Sequence, residues 1–269
     1  MRVNESSIVG KAFGEDADPD LIVAYQSHQD ALRFLAEALA QSNGVALLQG
    51  PRGAGKTTIA KEQAAWSARD AVVAFVDGVH LAPRRFLTDL LTQFDLPSGV
   101  GEDDLLLQSL SNFLAQQTRC GASPVLIVDD ADRASTSALR LLNWLAALDV
   151  RGKYSLRIVL CGKERLAGML RNNNMNSLLR RNPSTYSLNP LTSQEAMIYL
   201  RTKLIAAGGE RAEKVFPIEV CERLRESSCG WPGLLDKRAT EILESKPVQE
   251  PTGAAPSVIV SRDGAVVSE

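Results

Sequence analysis

The sequence of 269 residues holds only two histidines, His28 and His80, and four cysteines, none of them in a C-x-x-C pair. Without His and Cys clustered at ligand spacing, a structural zinc site has no basis. Cys120, Cys161, Cys221 and Cys229 are too scattered for a disulfide framework and read as reduced thiols. Cys161, inside an apolar run, reads as a small buried residue. No stretch approaches the ~20 consecutive apolar residues of a membrane-spanning helix. The first fourteen residues lack the basic-then-apolar plan of a signal peptide. A soluble, cytoplasmic protein is therefore expected. A dominant charge is missing too: 30 Lys and Arg face 32 Asp and Glu, a net charge of −2. That balance supplies no global attraction for nucleic acid.

What is present is an ordinary globular composition, 45% hydrophobic and 23% charged, in a chain long enough for one large domain or two modest ones. Short apolar runs at 45–49, 72–77, 125–128, 157–161 and 185–188 alternate with helical patterns at 57–69, 83–94, 103–118 and 137–148. Strands of this length separated by helices predict an α/β three-layer fold, with a parallel sheet of about five strands covered on both faces. The character changes near Pro190. Residues 191–245 carry only helical patterns, at 193–207, 217–227 and 233–243, which predicts a small all-helical lid subdomain. Thr192 or Ser193 suits the N-cap of the first, with Glu195 in its first turn. Pro217 suits the first turn of the second.

The expected domain plan is an N-terminal extension at 1–24, a core at 25–190, the lid at 191–245, a Pro/Ala linker at 246–257 and a tail at 258–269. Pro247, Pro251 and Pro256 mark the linker. The tail, with its β-like Val258–Val260, reads either as a frayed end or as the start of an appended β domain.

The segment Gly50-Pro51-Arg52-Gly53-Ala54-Gly55-Lys56-Thr57 meets every fixed position of G-x-x-x-x-G-K-[ST], and Thr58 continues it into the helix. Its glycines let the backbone approach an anion where a Cβ would collide. Successive N–H groups and the following helix N-terminus then face the phosphates of a nucleotide. Lys56 reaches the β- and γ-phosphates of ATP, and the Thr57 hydroxyl joins the shell of Mg²⁺. The loop follows an apolar run and opens a helix, as this chemistry requires.

About seventy residues on, Val125-Leu126-Ile127-Val128-Asp129-Asp130 places two acids at a strand end. Asp129 is expected to hold the metal with Thr57, and Asp130 to orient or deprotonate the attacking water. Asp130 is one methylene shorter than the glutamate common at this position, which predicts slow hydrolysis.

Together these residues resemble the AAA+ superfamily. More narrowly they resemble the ExeA/GspA-like ATPases of bacterial secretion and envelope biogenesis, and the ATPase modules joined to DamX-type SPOR proteins. The likeness runs from Tyr25 to Leu243. It takes in Tyr25-Gln26-Ser27-His28-Gln29-Asp30-Ala31-Leu32, Val159-Leu160-Cys161-Gly162-Lys163-Glu164-Arg165-Leu166, Tyr186-Ser187-Leu188-Asn189-Pro190-Leu191 and Ser228-Cys229-Gly230-Trp231-Pro232-Gly233.

The resemblance implies an ATPase that forms an ATP-dependent homo-oligomer and serves an envelope or secretion membrane protein, being peripheral at the inner membrane through that partner. It places the sensor-1 position near Gly162–Lys163. It makes Arg181, beside Arg180, the candidate arginine finger. Gly233 stands where the family carries its sensor-2 arginine. Two further readings stay open: a nucleotide-gated scaffold with negligible turnover, and a DNA-binding ATPase of the transposition-helper or origin-recognition type.

Overall fold

The computed structural model describes residues 5–14, 23, 25–78, 82–98, 102–172 and 175–245. The expected linker and tail lie outside these residues, as does His80. In chain order the first elements are α1 (Glu5–Phe13), α2 (Gln26–Ala40), β1 (Val45–Gln49), α3 (Lys56–Ser67), β2 (Val73–Asp77), α4 (Pro83–Gln93), α5 (Asp103–Arg119) and β3 (Val125–Asp129). A single 3₁₀ turn at Ala131–Arg133 leads to α6 (Thr136–Ala147). Then come the hairpin β4 (Asp149–Val150) and β5 (Lys153–Tyr154), β6 (Arg157–Gly162), α7 (Leu166–Asn172), α8 (Asn176–Arg180) and β7 (Ser184–Ser187). The lid follows as α9 (Ser193–Ala206), α10 (Ala212–Val215), α11 (Ile218–Ser227) and α12 (Pro232–Ser245).

The expected five-stranded parallel sheet forms, in the order β2-β3-β6-β1-β7. β1 and β3 are apolar up to their last residues, Gln49 and Asp129, because helices cover both faces, and all five residues of each are buried. Alternation along β1 sends Val45 and Leu47 to the face covered by α4 to α8, and Ala46 and Leu48 to the face covered by α2 and α3. The carboxyl ends of β1 and β3 flank β6 at one edge of the sheet. That edge is where ligands bind in such sheets.

The lid has its own core, in which Leu200, Leu204, Phe216, Leu224 and Leu235 are buried. Thr192 caps α9 in a full capping box with Glu195, as the sequence suggests. α1 was not expected from the sequence. Its inner face offers little beyond Ala12 and Phe13, and Gly10 interrupts it. Phe13 nonetheless packs edge-on to Phe216 at 5.7 Å between centroids. Ile8, Ala12 and Phe13 of α1 are thus part of the lid's core. The β4–β5 hairpin was also unforeseen. Arg151 and Gly152 both adopt positive φ, 54° and 78°, as a two-residue turn of this hand requires.

Candidate functional site

The loop between β1 and α3 winds through Gly53 (φ +80°) and Gly55 (φ +88°), conformations that side-chain-bearing residues rarely hold. At Gly50 a Cβ would lie 3.2 Å from the Ala54 Cβ and 3.3 Å from that of Leu188. Gly50 N–H donates to Gly162 O at 3.1 Å and the Gln49 amide to Glu164 O at 3.2 Å, so β6 carries the loop's first residue. Lys56 is buried, and its ammonium donates to Gly50 O at 2.8 Å and Pro51 O at 2.9 Å. Arg52 is exposed, and Pro51, Gly55 and Thr58 are half-buried.

The structure brings Thr57 to Asp129 across 72 residues of sequence: the hydroxyl donates to Asp129 Oδ2 at 2.5 Å. Asp129 Oδ1 accepts the Asp130 N–H at 2.9 Å. Burial pushes the Asp129 carboxyl up, against the downward pull of those two hydrogen bonds. A hydroxyl and a buried carboxylate at the mouth of an N–H-lined loop are the hard oxygen donors that suit Mg²⁺. The residues present therefore fit a magnesium–nucleotide pair.

Asp130 is in the left-handed region (φ 45°, ψ 36°), which aspartate tolerates. Its half-exposed carboxylate accepts from Arg133 Nη1 at 3.5 Å. Asp132, not singled out in the sequence, is the better-anchored acid. Its side chain is 1% exposed and accepts from Arg165 Nε at 3.1 Å, Arg165 Nη2 at 3.0 Å and the Lys163 N–H at 3.2 Å. The Lys163 backbone, where the resemblance implies sensor 1, is therefore engaged while its side chain is exposed.

Arg181 departs from its expected role. It is 1% exposed, and its guanidinium donates to Leu156 O (2.7 Å), Asn43 O (2.7 Å), Gly44 O (3.3 Å) and Ala146 O (3.4 Å). The Tyr154 ring lies 4.3 Å from its central carbon. Burial pushes its pKa down to about 10, which leaves it charged at neutral pH. A guanidinium committed to four carbonyls of its own chain does not reach a neighbour's phosphate. Arg180, at the end of α8, is the exposed member of the pair.

Two residues outside the loop touch its outer side. The Tyr25 hydroxyl donates to Ala54 O at 3.1 Å, and the Gly233 N–H donates to Gly53 O at 2.8 Å. Burial pushes the Tyr25 phenol up to about 12. The adjacent Gln26 N–H donates at 3.0 Å to Glu195, the acid of the α9 capping box, so one carboxylate serves the starts of α2 and α9. His28 pairs with Glu62 at 2.8 Å and fixes α2 to α3. Nothing local in the sequence marks the Tyr25 hydroxyl, because its acceptor lies 29 residues away.

Residues 38–170 match the AAA domain family. Over 225 residues the chain is 28% identical to general secretion pathway protein A of Aeromonas hydrophila, a match spanning 83% of this chain and 41% of that relative. Among solved structures it is similar to Cdc6p of Pyrobaculum aerophilum, with a TM-score of 0.66 at 15% identity, over 90% of this chain and 64% of that one. It is also similar to the Aeropyrum pernix ORC1 protein solved in complex with DNA, with a TM-score of 0.58 at 19% identity, over 84% and 63%. A third likeness is to domain III of the replication initiation protein DnaA of Thermotoga maritima, with a TM-score of 0.53 at 17% identity, over 86% and 88%. At these identities the solved structures establish the fold.

Proposed function

We propose that the chain, whose residues 38–170 match the AAA domain family, binds and slowly hydrolyses MgATP on the loop Gly50–Thr57. The meeting of Thr57 with Asp129 beside the buried Lys56 is the observation that carries this reading. When bound, Mg²⁺ would neutralise charge developing on the phosphate oxygens. Thr57 and Asp129 would hold it, Lys56 would turn from the loop carbonyls to the phosphates, and Asp130 would take the proton of the attacking water. Asp130 is short and pairs with Arg133, which supports slow turnover.

Asp129→Asn keeps the shape of the site and removes its charge. Titration calorimetry with ATP is expected to show the magnesium dependence of affinity reduced about tenfold or more, with turnover down about 100-fold. Unchanged magnesium dependence would remove the basis for the metal site.

The similarity to general secretion pathway protein A supports service to an envelope or secretion assembly, with the chain held at the inner membrane by a membrane partner. Self-association through the nucleotide is part of the same proposal. Arg180 is then the guanidinium offered to a neighbour, in place of Arg181. Turnover per chain should rise with protein concentration, and Arg180→Ala should lower it by about 100-fold or more while leaving ATP affinity unchanged. Turnover independent of concentration, and insensitive to Arg180→Ala, would favour an enzyme complete in one chain.

The posture of Asp130 favours one alternative, a nucleotide-gated scaffold. Phosphate release at saturating ATP separates that reading from the enzyme.

A further inference from the structure

We propose that Tyr25 and Gly233 are positioning residues for the phosphate loop, holding two of its carbonyls from outside so that the lid governs how well the loop receives phosphate. This rests on the loop being the nucleotide site. In a trans peptide unit the N–H and C=O point in opposite directions. The carbonyls of Gly53 and Ala54, held by Gly233 N–H and Tyr25 Oη at 2.8 and 3.1 Å, belong to successive units. Fixing them fixes the N–H groups of Ala54 and Gly55. The first makes the loop's own turn to Pro51 O at 3.3 Å, and the second is turned away from Tyr25. A loop whose peptide planes are set beforehand needs less reordering to receive an anion.

The contact demands glycine on the lid side. A Cβ on Gly233 would stand 2.9 Å from the Gly53 Cα and 3.3 Å from the Gly53 O, both backbone atoms that cannot give locally. Glycine where the resemblance implies arginine is therefore what lets the first turn of α12 lie on the loop. The Gly233 N–H, a first-turn donor without a partner inside α12, finds its acceptor there. The turn before it is anchored on both sides. Trp231 packs against the α2–α3 face of the core, and Gly230 O accepts the Leu191 N–H at 2.8 Å. At Gly230, with φ +72°, a Cβ would come within 2.6 Å of Leu191 O. Phosphate occupancy and lid position are thus linked through main-chain atoms, without a charged side chain as intermediary.

Titration calorimetry with MgATP and MgADP on wild type, Tyr25→Phe and Gly233→Ala tests this, alongside melting temperatures and hydrogen exchange at the start of α12. Tyr25→Phe keeps the ring against His28 and deletes only the donor. It is expected to weaken both nucleotides about three- to tenfold while melting within a few degrees of wild type. Gly233→Ala is expected to weaken them about tenfold or more, with faster exchange at the first turn of α12. The two effects should combine to less than their product, because both act on one short loop. Tyr25→Phe with a lowered melting temperature and unchanged affinity for both nucleotides would overturn the proposal, and does not depend on Gly233→Ala folding. Wild type that bound neither nucleotide would overturn the parent reading as well.

Discussion

Lys56→Ala is expected to lower ATP turnover by about 100- to 1,000-fold and to weaken MgATP by about tenfold or more, without lowering the melting temperature. The two halves have one cause. Lys56 is 7% exposed, and its ammonium faces the carbonyls of Gly50 and Pro51 with no carboxylate paired to it among the described residues. A buried cation held only by neutral acceptors carries a desolvation cost that two hydrogen bonds offset in part. Alanine removes that cost together with the bonds, so folding should be unaffected or slightly favoured. Function falls because the phosphates lose the charge placed for them. Activity and stability moving apart in this way is the signature of a residue kept for chemistry. A thermal melt beside a binding titration checks both halves. A Lys56→Ala protein with wild-type nucleotide affinity would remove the phosphate assignment.

Arg181→Met should do the reverse. It removes a donor from the carbonyls of Asn43, Gly44, Ala146 and Leu156, of which Gly44 O keeps the Ile158 N–H at 2.8 Å. Each buried acceptor left unsatisfied costs about 1–3 kcal/mol, and partial relaxation brings the sum to roughly 3–5 kcal/mol. For a chain of this size that is a fall of about 10 °C in melting temperature. The exposed neighbour is the control: Arg180→Met should change stability by less than about 0.5 kcal/mol. An Arg181→Met protein that melted like wild type and lost turnover would restore the finger role that its burial argues against.

The contrast between these two arginines shows where the sequence stops being informative. Residues adjacent on a helix point about 100° apart, so a basic pair at a helix end commonly has one member in and one out. Nothing local says which. Arg181 goes inward because carbonyls from three distant segments converge on it, and Tyr154 of the unforeseen β4–β5 hairpin covers it. The parallel strands were legible because strands covered on both faces must be apolar in their interior, and β1 and β3 are apolar up to Gln49 and Asp129. The loop was legible because its glycines are required by the backbone itself. α1 was not, since its few apolar residues acquire meaning only against Phe216 and the rest of the lid. Asp132, Tyr25 and the Gly53–Gly233 approach share that character. Each is a contact between segments far apart in sequence, with a backbone atom that every residue possesses on at least one side.

Glu195 has a mechanical consequence. Its carboxylate accepts from Thr192 at the start of α9 and from the Gln26 N–H at the start of α2, so it lies between two positive helix ends, one in the lid and one in the core. Rotation of the lid about that carboxylate preserves both sets of bonds, whereas sliding past it breaks one. At this joint a turn of the lid about Glu195 would therefore cost fewer hydrogen bonds than a slide past it.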